Sequence, residues 1–444
     1  MATANPVVEE LPFYLQGNFA PVSHEVTSFD LEVEGAIPPH LRGLYLRNGP
    51  NPKKDDGHWF LGDGMIHGVR LEDGKAKWYR NRWVRTRALL EGKPFVDENG
   101  NVDLTIAKAN TSVVGHAGRI FALVESSFPT ELTPELETIG TCDFDGRLKS
   151  AMTAHPKRCP LTGELHFFGY SFFYPFLTYN RLDRQGKLVQ SEVIEVKGPT
   201  MIHDFAITEN NIIFMDLPIV FNLEKAMSGG MPYEWNDDYG ARLGVMPRGG
   251  GNADARWFEI EPCYVFHPFN AFERDGKIII DVARYPELWR GGSDKFAAAY
   301  AHRWSIDPAA GRVGEERLDD RAVEFPRVDD RRNGLRHRYG YAVANHVGVS
   351  EKAQELVKYD LEKGTAETHV FPHGQAPGEG VFAPGGDTSS EDEGFVIAYV
   401  YDETRNSSDL VILDAHEFSR PPLATVHLPQ RVPFGFHGNW IADA

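Results

Sequence analysis

Four histidines hold the chemistry most readily seen in this sequence. His203 lies in Thr200-Met201-Ile202-His203-Asp204-Phe205, an apolar run with an acid beside the imidazole. His155 sits in Thr153-Ala154-His155-Pro156, His267 in Val265-Phe266-His267-Pro268 and His437 in Phe434-Gly435-Phe436-His437-Gly438. Taken singly, an inward histidine reads first as a packed core residue with one ring nitrogen bonded to a carbonyl. Taken together, four such contexts spaced 48, 64 and 170 residues apart suggest four strands converging on one point. Imidazole is the commonest metal ligand, and four neutral imidazoles leave a divalent metal its whole charge. Structural zinc prefers thiolates in close pairs along the chain. An octahedral metal held by four histidines keeps two positions for dioxygen or substrate, and iron(II) suits that arrangement.

Ligating histidines need acceptors for their other N–H. Carboxylates in apolar settings are the candidates: Glu125 after Leu123-Val124, Glu324 before Phe325-Pro326, and Glu379 in Gly378-Glu379-Gly380. Each is also readable as an ordinary surface glutamate; buried without a partner, each would cost several kcal/mol.

Ligands so far apart require a rigid scaffold, and the chain writes one in short strands. Gly43-Leu44-Tyr45-Leu46-Arg47, Arg119-Ile120-Phe121-Ala122-Leu123-Val124 and Gly394-Phe395-Val396-Ile397-Ala398-Tyr399-Val400 are typical, and the His203 run reads as the first of two short strands. The 43 glycines and 29 prolines punctuate many such strands and leave little room for helix. Helical turns are expected only at 134–138, 222–227 and 294–301. Strand pairs recurring over 444 residues, at roughly 60 residues a repeat, give an all-β propeller of about seven blades. The whole span 1–444 reads as one domain, since no linker or low-complexity tract divides it. Inner strands pointing at a common axis would bring the four histidines together.

Two stretches suggest a substrate. The aromatic run 167–179 is either core or the wall of an apolar tunnel. The segment 217–231, with Phe221, Leu223, Met227, Gly229 and Met231, reads as a solvated lid or as an apolar cap suited to peripheral membrane contact.

Composition removes other classes. With 46 basic and 64 acidic side chains the net charge is −18, which repels a nucleic-acid backbone. Three scattered cysteines, Cys142, Cys159 and Cys263, form no C-x-x-C pair and fit a reducing compartment. The N-terminus carries no secretory pattern and no run approaches a membrane span, so a soluble cytoplasmic protein is expected. No dinucleotide fingerprint, P-loop or H-E-x-x-H is present. Nothing in the sequence sets an oligomeric state.

The four histidine contexts, with Tyr45-Leu46-Arg47-Asn48-Gly49-Pro50-Asn51-Pro52, Gly62-Asp63-Gly64-Met65 and Asn110-Thr111-Ser112, resemble the carotenoid cleavage oxygenase family from about Phe29 to Trp440. The resemblance implies a seven-bladed β-propeller with a loop-and-helix dome over its top face. It also implies non-haem Fe(2+) on His155, His203, His267 and His437, glutamates Glu125, Glu324 and Glu379 behind them, and Thr111 near the open iron position. The implied reaction is oxidative cleavage of a C=C bond by O2 into two carbonyls. That stoichiometry needs no reduced nicotinamide, in keeping with the missing fingerprint.

Family members that cleave phenolic stilbenes usually carry a lysine before the first of these glutamates. Here Val124 stands there, so the expected substrate is an apolar polyene, a carotenoid or apocarotenoid, with Phe172, Phe173, Trp235 and Phe269 as tunnel candidates. A stilbene- or phenylpropenoid-cleaving dioxygenase is the alternative reading. A third is a polyene-binding or isomerising propeller that cleaves nothing.

Overall fold

Alternation along each strand decides the architecture. In the strand Gly43–Pro50, Tyr45 packs with Tyr399 and Ile397 on one side, while Leu44 and Leu46 pack with Val113 and Ile120 on the other. A strand apolar on both faces must lie between two other sheets. The computed structural model describes residues 11–53, 58–228, 231–293, 295–344, 354–386 and 390–443. It is a seven-bladed β-propeller, as the sequence predicts.

The inner strands of blades one to four are Gly438–Ala442, Ser112–His116, Lys157–Arg158 and Ala206–Ile207. Tyr264–Arg274 opens blade five. The long strand Arg312–Arg327 serves two blades, pairing first with Tyr300–Asp307 and then, past a register shift, with Tyr339–Ala344. Blade seven has a split inner strand: Gln375–Pro377 and Val381–Pro384 both pair with Gly394–Asp402.

Both ends of the chain close the ring. Gly438–Ala442 pairs with Gly43–Pro50 of blade one, and Val33–Gly35 pairs with Ala424–His427 of blade seven. These pairings staple the ring shut, and the inner strands that remain at blade edges are short.

Blades one and three share a buried device that sequence similarity does not advertise. Nδ1 of His67 lies 2.9 Å from the Tyr79 hydroxyl, and Nδ1 of His166 lies 2.7 Å from that of Tyr179, each pair joining adjacent strands. These histidines serve the scaffold.

Helix is scarce, with two corrections of position. Residues 134–138 form a turn leading into the strand Thr138–Thr141, because Leu136 takes a left-handed conformation there. Residues 295–301 run irregularly into the strand Tyr300–Asp307; position 294 lies outside the described residues. The expected helical turn at 222–227 is present as Leu223–Met227, capped by the Asn222 side chain, and Arg87–Glu91 forms an additional one, capped by Thr86. The Leu223–Met227 helix joins the ribbon of Ile219–Phe221 with Tyr233–Trp235, part of the dome. Positions 229 and 230 of the apolar cap lie outside the described residues. Among the described residues, no helix is long and apolar enough to cross a membrane.

Candidate metal centre

Every blade contributes to the centre, mostly from the ends of its inner strands. His155 precedes Lys157–Arg158, His203 precedes Ala206–Ile207 and His437 directly precedes Gly438–Ala442. The strand expected over the His203 run is absent: residues 201–205 carry no regular structure, and the observed strand begins only at Ala206. His267 lies within Tyr264–Arg274, where register shifts on either side of Pro268 break the strand's alternation and turn the ring inward. Blade two contributes Thr111 and Glu125, blade six Glu324, and blade seven Glu379 from the gap in its split strand.

The four rings meet. Nε2 of His203 lies 2.9 Å from Nε2 of His155 and 3.1 Å from Nε2 of His267, and the ligand atoms of all four histidines fall within 4.8 Å of one another. Ring centroids of His437 lie 4.5 Å from His155 and 4.7 Å from His267.

Three of the rings are held from behind. Nδ1 of His267 donates to Glu324 at 2.6 Å, Nδ1 of His437 to Glu379 at 3.0 Å, and Nδ1 of His203 contacts Glu125. A carboxylate on Nδ1 fixes the tautomer that leaves Nε2 bare. His155 differs: its nearest carboxylate, Asp204, stands 3.7 Å away and is engaged by Lys157 Nζ at 2.7 Å. Asp204, the acid beside His203 in the sequence, thus serves the neighbourhood of His155 together with Lys157.

The electrostatics favour the neutral form in three of the four rings. Burial, followed by the charges of His203, His437, His267 and Lys157, pushes His155 well below the ordinary histidine range. Burial also lowers His267 and His437, against the opposing pull of Glu324 and Glu379. Burial works to lower His203, but the charges of Glu125, Asp204 and Glu324, with the Glu125 contact, overcome it and raise this one ring. Burial works to raise the Glu379 carboxyl, but Arg327 and His437 overcome it and bring it down to about 2.

Bare imidazole nitrogens facing each other repel unless a cation lies between them. Nitrogens bound at about 2.0–2.1 Å on perpendicular metal bonds stand about 3 Å apart, which matches the observed 2.9 and 3.1 Å. The donor set therefore fits a divalent metal with positions to spare.

Above this point opens a cavity of about 1590 Å³, large beside ordinary small-molecule sites. Thr111 and Val124 line it close to the histidines; the Thr111 carbonyl also accepts the His437 backbone N–H at 3.1 Å. Phe172 and Phe173 line it further out, beside Phe221 of the dome ribbon.

The other two tunnel candidates lie elsewhere. Phe269 is buried between blades against Tyr359, because the shifts around Pro268 change which residues of that strand face the cavity; Phe266 lines it instead, edge-on to His203 at 5.0 Å. Trp235 is turned away by its indole N–H, which donates to Asp237 at 3.0 Å, and by the Arg290 guanidinium over its ring; Tyr233 lines the cavity from the same ribbon. Tyr170, within the aromatic run 167–179 read as core or tunnel wall, lines the cavity, and so do Phe434 and Phe436, which were not among the tunnel candidates. The two phenylalanines flank the His437 motif and could have been found there.

Comparison with known proteins agrees with this arrangement. A family model described as "Retinal pigment epithelial membrane protein" matches residues 19–442. A Mycobacterium tuberculosis carotenoid cleavage oxygenase is 41% identical, over 99% of each chain. The solved Pseudomonas brassicacearum lignostilbene dioxygenase superposes with a TM-score of 0.88 at 30% identity, covering 98% of this chain and 100% of that one. A Synechocystis apocarotenoid oxygenase gives 0.86 at 29%, covering 96% and 98%. The chain belongs to the retinal pigment epithelial membrane protein family, that of the carotenoid cleavage oxygenases, whose members are oxygenases that cleave alkenes.

Proposed function

We propose that this protein is an iron(II)-dependent dioxygenase that splits one C=C bond of a carotenoid or apocarotenoid into two carbonyl products. One observation carries the reading: four bare Nε2 atoms converge at the inner end of a large, mostly apolar cavity. His155, His203, His267 and His437 would hold the metal, which when bound supplies dioxygen activation. One O2 adds one oxygen atom to each alkene carbon, so the electrons balance without a further reductant.

The chain's own residues do the rest. Glu125, Glu324 and Glu379 lock three rings in the ligating tautomer. Phe266, Phe325 and Phe436 wall the inner cavity and keep water from the reacting carbons. Phe172, Phe173 and Phe221 hold an extended hydrocarbon so that one double bond lies beside the metal, positioning that contributes on the order of several kcal/mol. No acid–base group is needed, and the depth of insertion selects the bond. Around the mouth Phe173, Leu223 and Met227 are exposed, the last at 80%, and suit peripheral contact with a membrane that dissolves the polyene.

A second reading, cleavage of a phenolic stilbene or phenylpropenoid, is favoured by the likeness to the lignostilbene dioxygenase. Val124 speaks against it, since a valine at the cavity wall offers a phenol no partner. The deciding experiment is mass spectrometry of products from iron-loaded protein given carotenoids, apocarotenals and a 4-hydroxystilbene, with metal analysis alongside. Aldehydes from the polyenes alone support the proposal. Cleavage of the stilbene alone supports the second reading, and binding without oxygen uptake sinks both.

A further inference from the structure

The cavity is not apolar throughout, and its outer end differs in kind from its inner end. From the histidines it extends over blade three, where Thr178 and Ser191 line it from the third and outermost strands. Those strands are adjacent, with Thr178 paired to Val193 and Asn180 to Ser191. The outermost strand lies three strand spacings, about 14 Å, from the inner one. The segment 149–151 covers the second strand there: Gly169 comes so close to Ala151 that any side chain at Gly169 would meet the Ala151 carbonyl.

That segment brings Lys149 into the wall beside Ser150, and Asn101 joins it from the loop between blades one and two. Leaving aside the ligand histidines, Lys149 is the cationic side chain of the described wall. Its two acidic counterparts in the wall, Glu125 and Glu324, are both engaged by ligand histidines. Among the described residues no carboxylate lies within ion-pair reach of Lys149, in a chain whose net charge is −18. An exposed ammonium sharing this outer stretch of wall with three hydroxyls and an amide makes a poor wall for a hydrocarbon and a good one for an anionic oxygen group.

We propose that Lys149, with Ser150, Thr178, Ser191 and Asn101, forms a head-group subsite for the carboxylate of an acid-terminated polyene. The substrate is then amphipathic, an apocarotenoid acid and not a symmetrical hydrocarbon. Its head docks over the outer strands of blade three, and the distance from there to the histidines sets which double bond reaches the metal. The subsite rests on the dioxygenase reading only in treating this cavity as the substrate's.

The test is equilibrium binding to metal-free protein, followed by quenching of tryptophan fluorescence. The probes are a polyene carboxylic acid and its methyl ester, which share shape and differ in charge. Wild-type protein is expected to bind the acid about ten-fold more tightly than the ester, the scale of one charge-assisted hydrogen bond. Lys149→Met should erase that preference while leaving ester affinity unchanged, and Lys149→Arg should keep most of it. Equal affinity for acid and ester in the wild type, or an acid preference that survives Lys149→Met, overturns the proposal. Iron-loaded protein is assayed separately for aldehyde products. Lys149-dependent acid binding without cleavage of any alkene refutes the dioxygenase reading and leaves the subsite standing.

Discussion

The Tyr170 hydroxyl donates a 2.7 Å hydrogen bond to Oε2 of Glu125, whose other oxygen faces Nδ1 of His203. Tyr170 also lines the cavity, so one side chain touches both the proposed substrate space and the support of a proposed metal ligand. Burial and the Glu125 charge raise the Tyr170 phenol well above its ordinary range, which keeps it a donor. Tyr170→Phe should leave the fold intact and weaken metal retention or turnover by about 10- to 100-fold, the usual cost of losing a partner behind a ligand. Competition with a chelator measures it; an unchanged metal dissociation constant together with an unchanged kcat would show the contact to be incidental.

His166 is fully buried and His203 largely so, yet they differ in role. His203→Ala removes a nitrogen at the point where the four rings meet. His166→Ala removes a scaffold contact to Tyr179. The first protein should purify without iron; the second should melt earlier and keep its iron. Elemental analysis and a thermal melt decide, and equal iron content in the two variants refutes the assignment.

Gly169 is required by close packing. A Cβ there would lie 2.2 Å from the Ala151 carbonyl oxygen, backbone that cannot rotate away. Gly169→Ala should displace 149–151, cost about 1–3 kcal/mol, and reduce turnover of long substrates more than short ones. Denaturant titration and paired kinetics with a long and a shortened polyene test it; wild-type stability would contradict the packing argument.

Acid sensitivity should come partly from outside the metal centre. Burial, reinforced by nearby arginines, brings His67 and His166 down to about 3 and His337 down to about 4. Unfolded, each titrates near 6.5, so below that pH the unfolded chain takes up protons that the native state refuses. Stability is then full above about pH 6.5 and is lost as the pH falls towards 4, by about 1.4 kcal/mol per pH unit for each proton. Urea unfolding of metal-free protein at pH 7 and pH 5 should show this loss, and His166→Gln should make it smaller. Identical pH dependence in the two proteins would remove His166 from the account.

The residues of the candidate metal centre were legible because chemistry restricts them: His155, His203, His267 and His437 stand in recurring short contexts, and the fold class follows from strand periodicity and turn residues. The glutamates gained their meaning only from a pattern spanning the chain. What the tertiary structure alone decided is direction. Phe269 and Phe266 look interchangeable in sequence, and the shifts around Pro268 choose between them. Tyr170 could be read only as one of many aromatics until Glu125, folded in from another blade, was placed beside its hydroxyl. Lys149 is an ordinary charged loop residue until Gly169 lets its segment lie flat against blade three. Local pattern specifies which strands form, because propensity and alternation act over a few residues. Which side chains share a cavity depends on register shifts, bulges and the closing of blade seven onto blade one, and those arise from contacts hundreds of residues apart.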